Sequence, residues 1–133
     1  MRQTITSSNA PAAIGPYSQA VRAGDWVFLS GQLPINPKTG AVITDTIEAA
    51  TVQVMENLKA VLQEAGLTFD HVVKTTIYLI DLDDFARVNT AYGKYLTENP
   101  PARATVQVAA LPKGVAVEID AIAYAGSSKY SGL

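Results

Sequence analysis

Apolar positions in the middle of the chain recur at the spacing of an amphipathic helix. The periodic positions are Ile47, Thr51, Val54, Leu58, Val61, Leu62 and Ala65. Because they lie three or four residues apart, they share one helical face. Asp45, followed three residues later by Glu48, resembles a capping box at the start, and Gly66 is a typical stop. A second helix is predicted by the spacing of four apolar residues, with Asp81 or Asp83 as its cap. These residues are Phe85, Val88, Tyr92 and Leu96.

Other segments have the character of strands. Residues 72–80 are rich in β-branched side chains, and residues 17–23 and 26–30 flank a two-residue Gly24-Asp25 turn. Residues 7–16 are small, contain Pro and Gly, and are predicted to form a loop. The resulting order of hairpin, helix, strand, helix and hairpin predicts an α+β sandwich, with one mixed sheet and two helices packed on one face.

The predicted last hairpin carries the residues with the most evident chemistry. It would join a strand containing Arg103 to a strand containing Glu118 around the loop 110–114. Antiparallel pairing around that loop would place Thr105 opposite Glu118, with Arg103 and Asp120 on one face. The other face would be apolar, so this hairpin would present a cation beside a carboxylate.

Two helices can cover only one face of this sheet. Yet Trp26 and Phe28 point to one side of their strand, while Val27 and Leu29 point to the other. An uncovered apolar face favours contact with a partner, so the pattern predicts a homo-oligomer with site residues near its subunit boundaries. A monomer with a few exposed aliphatic side chains is the alternative.

Composition and charge limit which kinds of partner are expected for this protein. The 133 residues are 48% hydrophobic and 17% charged, as expected for one domain over 1–133 with a loose tail at 126–133. Lys and Arg are scattered and the net charge is -2, which argues against a nucleic-acid partner. We expect no membrane association, since no apolar run reaches the ~18 residues of a membrane span. The chain has no cysteine and begins without the apolar core of a signal peptide, which fits the cytoplasm.

The sequence lacks the residue patterns that are typical of phosphate binding and of metal binding by histidine. The sequence contains neither of the glycine-rich phosphate-binding motifs, and His71 is the only histidine, so no metal or organic cofactor is expected. Asp81, Asp83 and Asp84 precede a predicted helix, which favours capping over metal binding. Any catalysis is therefore expected to use carboxylate, guanidinium, hydroxyl, backbone and water.

Four side chains are candidates for such chemistry. The guanidinium of Arg103 suits bidentate binding of a carboxylate, and Glu118 is a candidate general base or water-orienting group. A plain cross-strand ion pair between Arg103 and either Glu118 or Asp120 is an equally weighted alternative. Tyr17 follows Gly-Pro and Ser30 precedes a glycine, so either hydroxyl could face a cleft. Weaker candidates, which could simply satisfy backbone groups, are Gln19 and Asn89.

Three blocks of the sequence resemble the RidA/YjgF family of reactive-intermediate deaminases. They are residues 13–20 (AIGPYSQA), residues 29–32 (LSGQ) and residues 101–106 (PARATV), the last followed by Leu111-Pro112 and Val117-Glu118-Ile119. The resemblance covers nearly the whole chain. It implies a fold like that of chorismate mutase and a compact homotrimer with ligand clefts between subunits.

The resemblance also implies a reaction and its residues. Members hydrolyse enamine and imine acids such as 2-aminoacrylate and 2-iminobutanoate to 2-keto acids and ammonia, which protects pyridoxal-phosphate enzymes. Arg103 and the backbone N–H of Thr105 would bind the substrate carboxylate, and Glu118 would polarise the attacking water. Tyr17 and Ser30 would position substrate or water. The cleft would be shaped by Gly31, Asn89 and Pro112. Relatives often carry cysteine where Thr105 stands, which removes a thiol role but spares the backbone contact.

Three other functions are alternatives to this one. A non-catalytic trimer that binds small carboxylates, or acts as a chaperone-like surface, would keep its function without Glu118. RNA cleavage or translation inhibition, ascribed to some members, is opposed by the acidic balance of the chain. Chorismate mutase activity ranks last, because one Arg and one Glu are few for a dianionic substrate.

Overall fold

Six strands form one mixed sheet and two helices pack on one of its faces, which confirms the predicted α+β architecture. The computed structural model describes residues 2–126, so the predicted tail falls outside it except for Gly126. In spatial order the strands run β1-β2-β3-β6-β4-β5. Within residues 2–126, no helix combines the length and apolarity needed to cross a bilayer. The strands are β1 (Arg2–Ile5), β2 (Ala20–Ala23), β3 (Trp26–Gln32), β4 (Val72–Leu79), β5 (Ala102–Gln107) and β6 (Val117–Tyr124).

The first helix, α1 (Ile47–Glu64), follows the predicted apolar periodicity. Its start differs from the prediction, because Thr46 and not Asp45 is the N-cap, and Thr46 Oγ1 accepts a hydrogen bond from the Ala49 N–H at 3.0 Å. Glu48 instead forms a bidentate pair with Arg87. Gly66 adopts a φ of 75°, the left-handed conformation that ends many helices.

The second helix, α2 (Phe85–Gly93), is shorter than the apolar pattern suggests, since Leu96 lies beyond it. A 3₁₀ turn, Leu82–Asp84, precedes it. Asp81 caps that turn by accepting a hydrogen bond from the Asp83 N–H at 2.9 Å. Helix α2 packs beside α1, and both cover the same face of the sheet, where the apolar core lies.

The predicted Arg103–Glu118 hairpin is wrong. Strand β4 lies between β5 and β6, pairing with β5 in parallel and with β6 antiparallel. Arg103 is aligned with Thr75, and Glu118 with Tyr78, and these two β4 residues point to opposite faces of the sheet. Arg103 and Thr105 therefore point to the helix side, whereas Glu118 and Asp120 point to the open side.

The face away from the helices is partly apolar, as the alternation in β3 predicts. Trp26 is 44% exposed and Phe28 48% exposed, while Val27 and Leu29 on the other side of the same strand are buried. The Trp26 ring packs against Tyr124 on β6, with ring centroids 4.8 Å apart. An apolar surface is thus continuous across neighbouring strands of the open face.

Candidate functional site

A cavity of about 620 Å³ opens between the loop that precedes β2 and the end of β3. It gathers six of the residues singled out in the sequence. These are Tyr17, Gln19, Ser30, Gly31, Pro112 and Glu118. Lys113, which the sequence pattern did not single out, also lines the cavity and has a left-handed φ of 58°. We refer to this group as the Glu118 cavity.

Glu118 is the acidic group of this cavity. Its side chain is half-buried, and none of the hydrogen bonds formed among residues 2–126 involves the carboxylate. Burial raises the pKa of Glu118 above its ordinary value, and the charge of Asp120 two residues away raises it further. Asp120 is held by the hydroxyl of Tyr78, which donates to Oδ2 at 3.0 Å. A carboxylate with a raised pKa is suited to accept and return a proton.

Gly31 allows this carboxylate to come close to the backbone. The pairing of β3 with β6 shifts register between Leu29 and Gln32, a bulge that includes Ser30 and Gly31. A Cβ at position 31 would collide with Oε2 of Glu118 and lie 2.8 Å from its Cδ. Only glycine fits at this position beneath the Glu118 side chain as it stands.

The hydroxyl groups of Ser30 and Tyr17 form different kinds of hydrogen bond. Ser30 Oγ donates to the carbonyl of Ser18 at 2.6 Å, so at the cavity wall this oxygen is left to act as an acceptor. Tyr17 OH accepts a long hydrogen bond of 3.4 Å from the Ile14 N–H, which leaves its own proton available. Gln19 is buried, and its amide bonds the backbone of Ser7 and Pro11, so it braces the loop.

Arg103 lies away from this cavity, on the helix side of edge strand β5. Its Nη1 donates to Asn89 Oδ1 at 2.7 Å, and its guanidinium carbon lies 5.3 Å from the ring centroid of Phe85 and 5.4 Å from that of Tyr92. The salt bridges among residues 2–126 do not include Arg103. The alternative of an ion pair with Glu118 or Asp120 is therefore wrong for the single chain. We call Arg103, Asn89, Phe85 and Tyr92 the Arg103 cluster.

Thr105 lies two residues further along the same edge. The Val108 N–H bonds the Leu79 carbonyl at 2.8 Å, so in parallel pairing the even-numbered residues of this strand direct their N–H groups toward β4. The N–H of Thr105 consequently faces the free edge of the sheet. Its Oγ1 is buried and has no hydrogen-bond partner among the described residues.

The structure thus divides the predicted site residues into two groups. Tyr17, Ser30, Gly31, Pro112 and Glu118 form the cavity, whereas Arg103, Asn89 and Thr105 lie at the β5 edge. The contacts of Phe85 and Tyr92 with Arg103 were not predicted, because the apolar pattern assigns both residues only to the helix core. Their spacing from Asn89, at i, i+4 and i+7 of one helix, would have revealed that the three share a face. Metal-binding groups of three or more His, Cys, Asp or Glu do not occur within residues 2–126.

The fold and these two groups define the class of protein: a one-sheet, two-helix α+β protein with a carboxylate cavity and an edge arginine. The family model described as endoribonuclease L-PSP matches residues 7–125, and the chain belongs to this family, the RidA/YjgF family. The resemblance noted in the sequence is confirmed.

Three similar proteins illustrate the relationship. Protein DfrA of Myxococcus xanthus is 60% identical over 124 residues, 92% of this chain and 95% of that protein. The 2-iminobutanoate/2-iminopropanoate deaminase of Salmonella typhimurium is 52% identical over 126 residues, 92% of this chain and 98% of that protein. The crystal structure of Escherichia coli TdcF with bound serine superposes with a TM-score of 0.89 at 42% identity, covering 93% of this chain and 99% of that one.

Proposed function

We propose that this protein hydrolyses reactive 2-enamine and 2-imine acids to 2-keto acids and ammonia, with 2-aminoacrylate and 2-iminobutanoate as the substrate class. One observation supports this above the others: a half-buried carboxylate with a raised pKa lies directly over a glycine in an open cavity. The relative from Salmonella typhimurium that is named a 2-iminobutanoate/2-iminopropanoate deaminase supports the same substrate class.

The proposal includes a homotrimer in which the Arg103 cluster of one copy faces the Glu118 cavity of the next. Within one chain the two groups lie on opposite faces of the sheet, so neither can complete the other. Trp26 and Phe28 leave an apolar open face that further copies would cover. A ring of identical head-to-tail contacts brings the two different surfaces together three times.

Binding would begin at the β5 edge. The guanidinium of Arg103 donates one N–H to Asn89, and its other N–H groups can bind the substrate carboxylate. The outward N–H of Thr105 on the same edge would donate to the same carboxylate. This anchoring holds the substrate with its C=N carbon toward the neighbouring Glu118.

The chemistry then requires one proton-handling group. The enamine tautomerises to the imine, whose protonated C=N carbon is electrophilic on its own. Glu118 accepts a proton from a water that adds to this carbon, and returns it to the nitrogen of the resulting carbinolamine. As the C–N bond breaks and ammonia leaves, Glu118 takes the remaining hydroxyl proton, the C=O bond of the 2-keto acid forms, and the proton is released to solvent. Ser30 would accept, and Tyr17 would donate, hydrogen bonds that orient the water or the substrate. The proposal invokes no cofactor and places the activity in the cytoplasm.

A coupled assay tests the reaction. Threonine dehydratase generates the imine, semicarbazide traps it, and the protein is added to compete. We expect the wild-type protein to suppress the trapped adduct, and Arg103→Ala and Glu118→Gln each to abolish the suppression. A wild-type protein without effect would contradict the proposal.

Co-expression of the two inactive variants tests the shared site. If each site takes Arg103 from one copy and Glu118 from another, randomly mixed trimers recover about a quarter of the wild-type activity. Separately purified variants that are kept apart stay inactive and serve as the control. Absence of recovery in mixed trimers of confirmed composition would contradict a site shared between copies.

A second candidate is a non-catalytic trimer that binds small carboxylates, favoured by the TdcF structure with bound serine. The two functions separate at Glu118. A binding protein keeps its ligand affinity and its function in Glu118→Gln, whereas an enzyme keeps affinity and loses turnover.

A further inference from the structure

We propose that Tyr92, held from behind by Thr75, is a positioning residue that fixes the plane of the Arg103 guanidinium for carboxylate binding. This inference rests on the carboxylate-binding part of the proposed function. It assigns a role to the hydrogen-bonded hydroxyls of Tyr92 and Thr75, which belong neither to the predicted site residues nor to the proposed reaction.

The support for the guanidinium comes from one face of α2. Phe85, Asn89 and Tyr92 follow each other at i, i+4 and i+7, so their side chains line up along the helix. The two rings lie 5.3 and 5.4 Å from the guanidinium carbon, and Asn89 Oδ1 accepts from Nη1 at 2.7 Å. Two aromatic contacts and one hydrogen bond together define both the place and the tilt of a planar group.

The Tyr92 ring is itself fixed by the sheet. Its hydroxyl shares a hydrogen bond of 2.7 Å with Thr75 Oγ1, and both residues are almost fully buried, at 4% and 2% exposure. Thr75 is the residue of β4 that is aligned with Arg103 on β5. The same pair of strands thus positions the arginine and, through Thr75 and Tyr92, the ring that it contacts.

This arrangement holds the exposed Arg103 side chain in place, although no salt bridge within residues 2–126 includes it. A free arginine side chain would lose rotamer entropy when it binds a ligand, and that loss weakens binding. The ring contacts remove this freedom in advance while leaving guanidinium N–H groups available. A lysine at position 103 has neither the plane to contact the rings nor the fork of donors.

The expected signature is a change in binding rather than in turnover. An interaction that holds the substrate carboxylate equally in the ground state and the transition state affects KM and leaves kcat unchanged. Loss of the Tyr92 hydroxyl frees the ring to shift, so the guanidinium loses its fixed plane. We therefore expect weaker binding of ligands that carry a carboxylate, and little change for a neutral ligand of the same size.

The test compares Tyr92→Phe, Thr75→Val and Thr75→Ser. The readouts are KM and kcat for imine hydrolysis, and calorimetric affinities for 2-oxobutanoate and its neutral amide. For Tyr92→Phe and Thr75→Val we expect KM and the Kd of 2-oxobutanoate to rise about five- to tenfold. We expect kcat and amide binding to change less than about twofold. Thr75→Ser keeps a hydroxyl and should restore most of the affinity, and the double variant should be no worse than one single variant.

Tyr95→Phe is the matched control. It also removes a tyrosine hydroxyl that forms a short hydrogen bond, here 2.6 Å to Glu56, but lies outside the Arg103 cluster. We expect it to leave both affinities unchanged. Thermal melting of each variant identifies any loss that comes from unfolding.

The possible results of these measurements separate the proposed function from the role of Tyr92. A wild-type protein that binds 2-oxobutanoate without hydrolysing imines contradicts the proposed hydrolysis alone, and the Kd values of the variants then support or overturn this inference. An active wild-type protein whose affinity survives Tyr92→Phe overturns the inference alone. An equal loss of carboxylate and amide binding, or an equal loss in Tyr95→Phe, also overturns it, as does a wild-type protein that binds no 2-oxobutanoate.

Discussion

The Glu118 cavity and the Arg103 cluster are built in contrasting ways. Glu118 lies on the open face, half-buried, and is neighboured by a second carboxylate, Asp120, that raises its pKa. Arg103 lies on the helix side at the sheet edge, exposed to solvent and held by aromatic rings and an amide. The Glu118 carboxylate lies close to the backbone of Gly31, whereas the Arg103 guanidinium is held by side chains of helix α2.

The difference shows why the two charges do not neutralise each other. Had β5 and β6 been neighbours with both charges on one face, Arg103 and Asp120 could have formed an ion pair within one chain. Strand β4 separates them instead, so each group remains available to a ligand. A ligand with an anionic end and an electrophilic carbon suits both groups only if they come from two copies of the chain.

The largest expected effect separates the two groups by function. Glu118→Gln should lower kcat about 10³-fold, because it removes the proton acceptor, while the affinity for 2-oxobutanoate stays within about threefold of the wild type. Arg103→Ala is the counterpart and should weaken that affinity about 10²-fold through the lost charge-assisted hydrogen bonds. Steady-state kinetics and calorimetry on both variants give the comparison. Equal losses of affinity in the two variants would contradict the assignment of turnover to Glu118 and of carboxylate binding to Arg103.

A second prediction tests the close approach in the cavity alone. Gly31→Ala places a Cβ against the Glu118 carboxylate, so the side chain must move and kcat/KM should fall about 10²-fold. Gly93→Ala is the matched control, because a Cβ there meets nothing within 4 Å. Kinetics on the two alanine variants, with melting curves, check this. Full activity of Gly31→Ala would show that the carboxylate does not need its present position.

The error about the hairpin has a physical cause. Sequential strands often pair, and the short 110–114 loop made an antiparallel turn the simplest interpretation. However, residues 72–107 run strand, helix, strand, an order that favours a parallel pair joined by a crossover. Ile77 and Leu79 are fully buried within β4, consistent with a central strand. The local patterns predicted the elements well, but the order of strands depends on contacts distant in sequence.

The same holds for the candidate site, whose residues could be predicted from local patterns but whose arrangement in space could not. Family-like blocks identified Ser30, Gly31, Arg103 and Glu118 as candidates, and the structure gives Gly31 and Arg103 specific surroundings. The division of these residues between two faces follows only from the strand order. The bulge at Ser30 and Gly31 was also beyond prediction, because it arises from pairing with β6 and carries no local signal other than the glycine.

A third prediction concerns the pH dependence of the cavity. Burial raises the pKa of Glu118 and the negative charge of Asp120 raises it further, so Asp120→Asn should lower that pKa. If ionised Glu118 is the active form, activity is lost as pH falls through its pKa, and the acidic limb of the kcat profile should move to lower pH. The plateau should be nearly unchanged, because asparagine can still accept from Tyr78. Asp25→Asn in the β2–β3 turn is the control, and its limb should stay in place. A limb that is identical in Asp120→Asn and the wild type would show that Asp120 does not influence the titrating group.

The smallest effect is expected at the β5 edge, from Thr105→Val. The Thr105 hydroxyl is buried and has no hydrogen-bond partner within residues 2–126, so replacing it with a methyl group of the same shape should stabilise the protein by about 0.5 kcal/mol. Activity should change less than about twofold, because the role proposed for this residue belongs to its backbone N–H. Thr51→Val is the matched control: its buried hydroxyl donates to the Ile47 carbonyl at 2.8 Å, so this variant should lose stability. Denaturant unfolding and kinetics on both valine variants measure the difference. A fall in activity with Thr105→Val would instead mean that the hydroxyl contacts the ligand or a neighbouring copy, so that the edge contributes a side chain as well as a backbone donor.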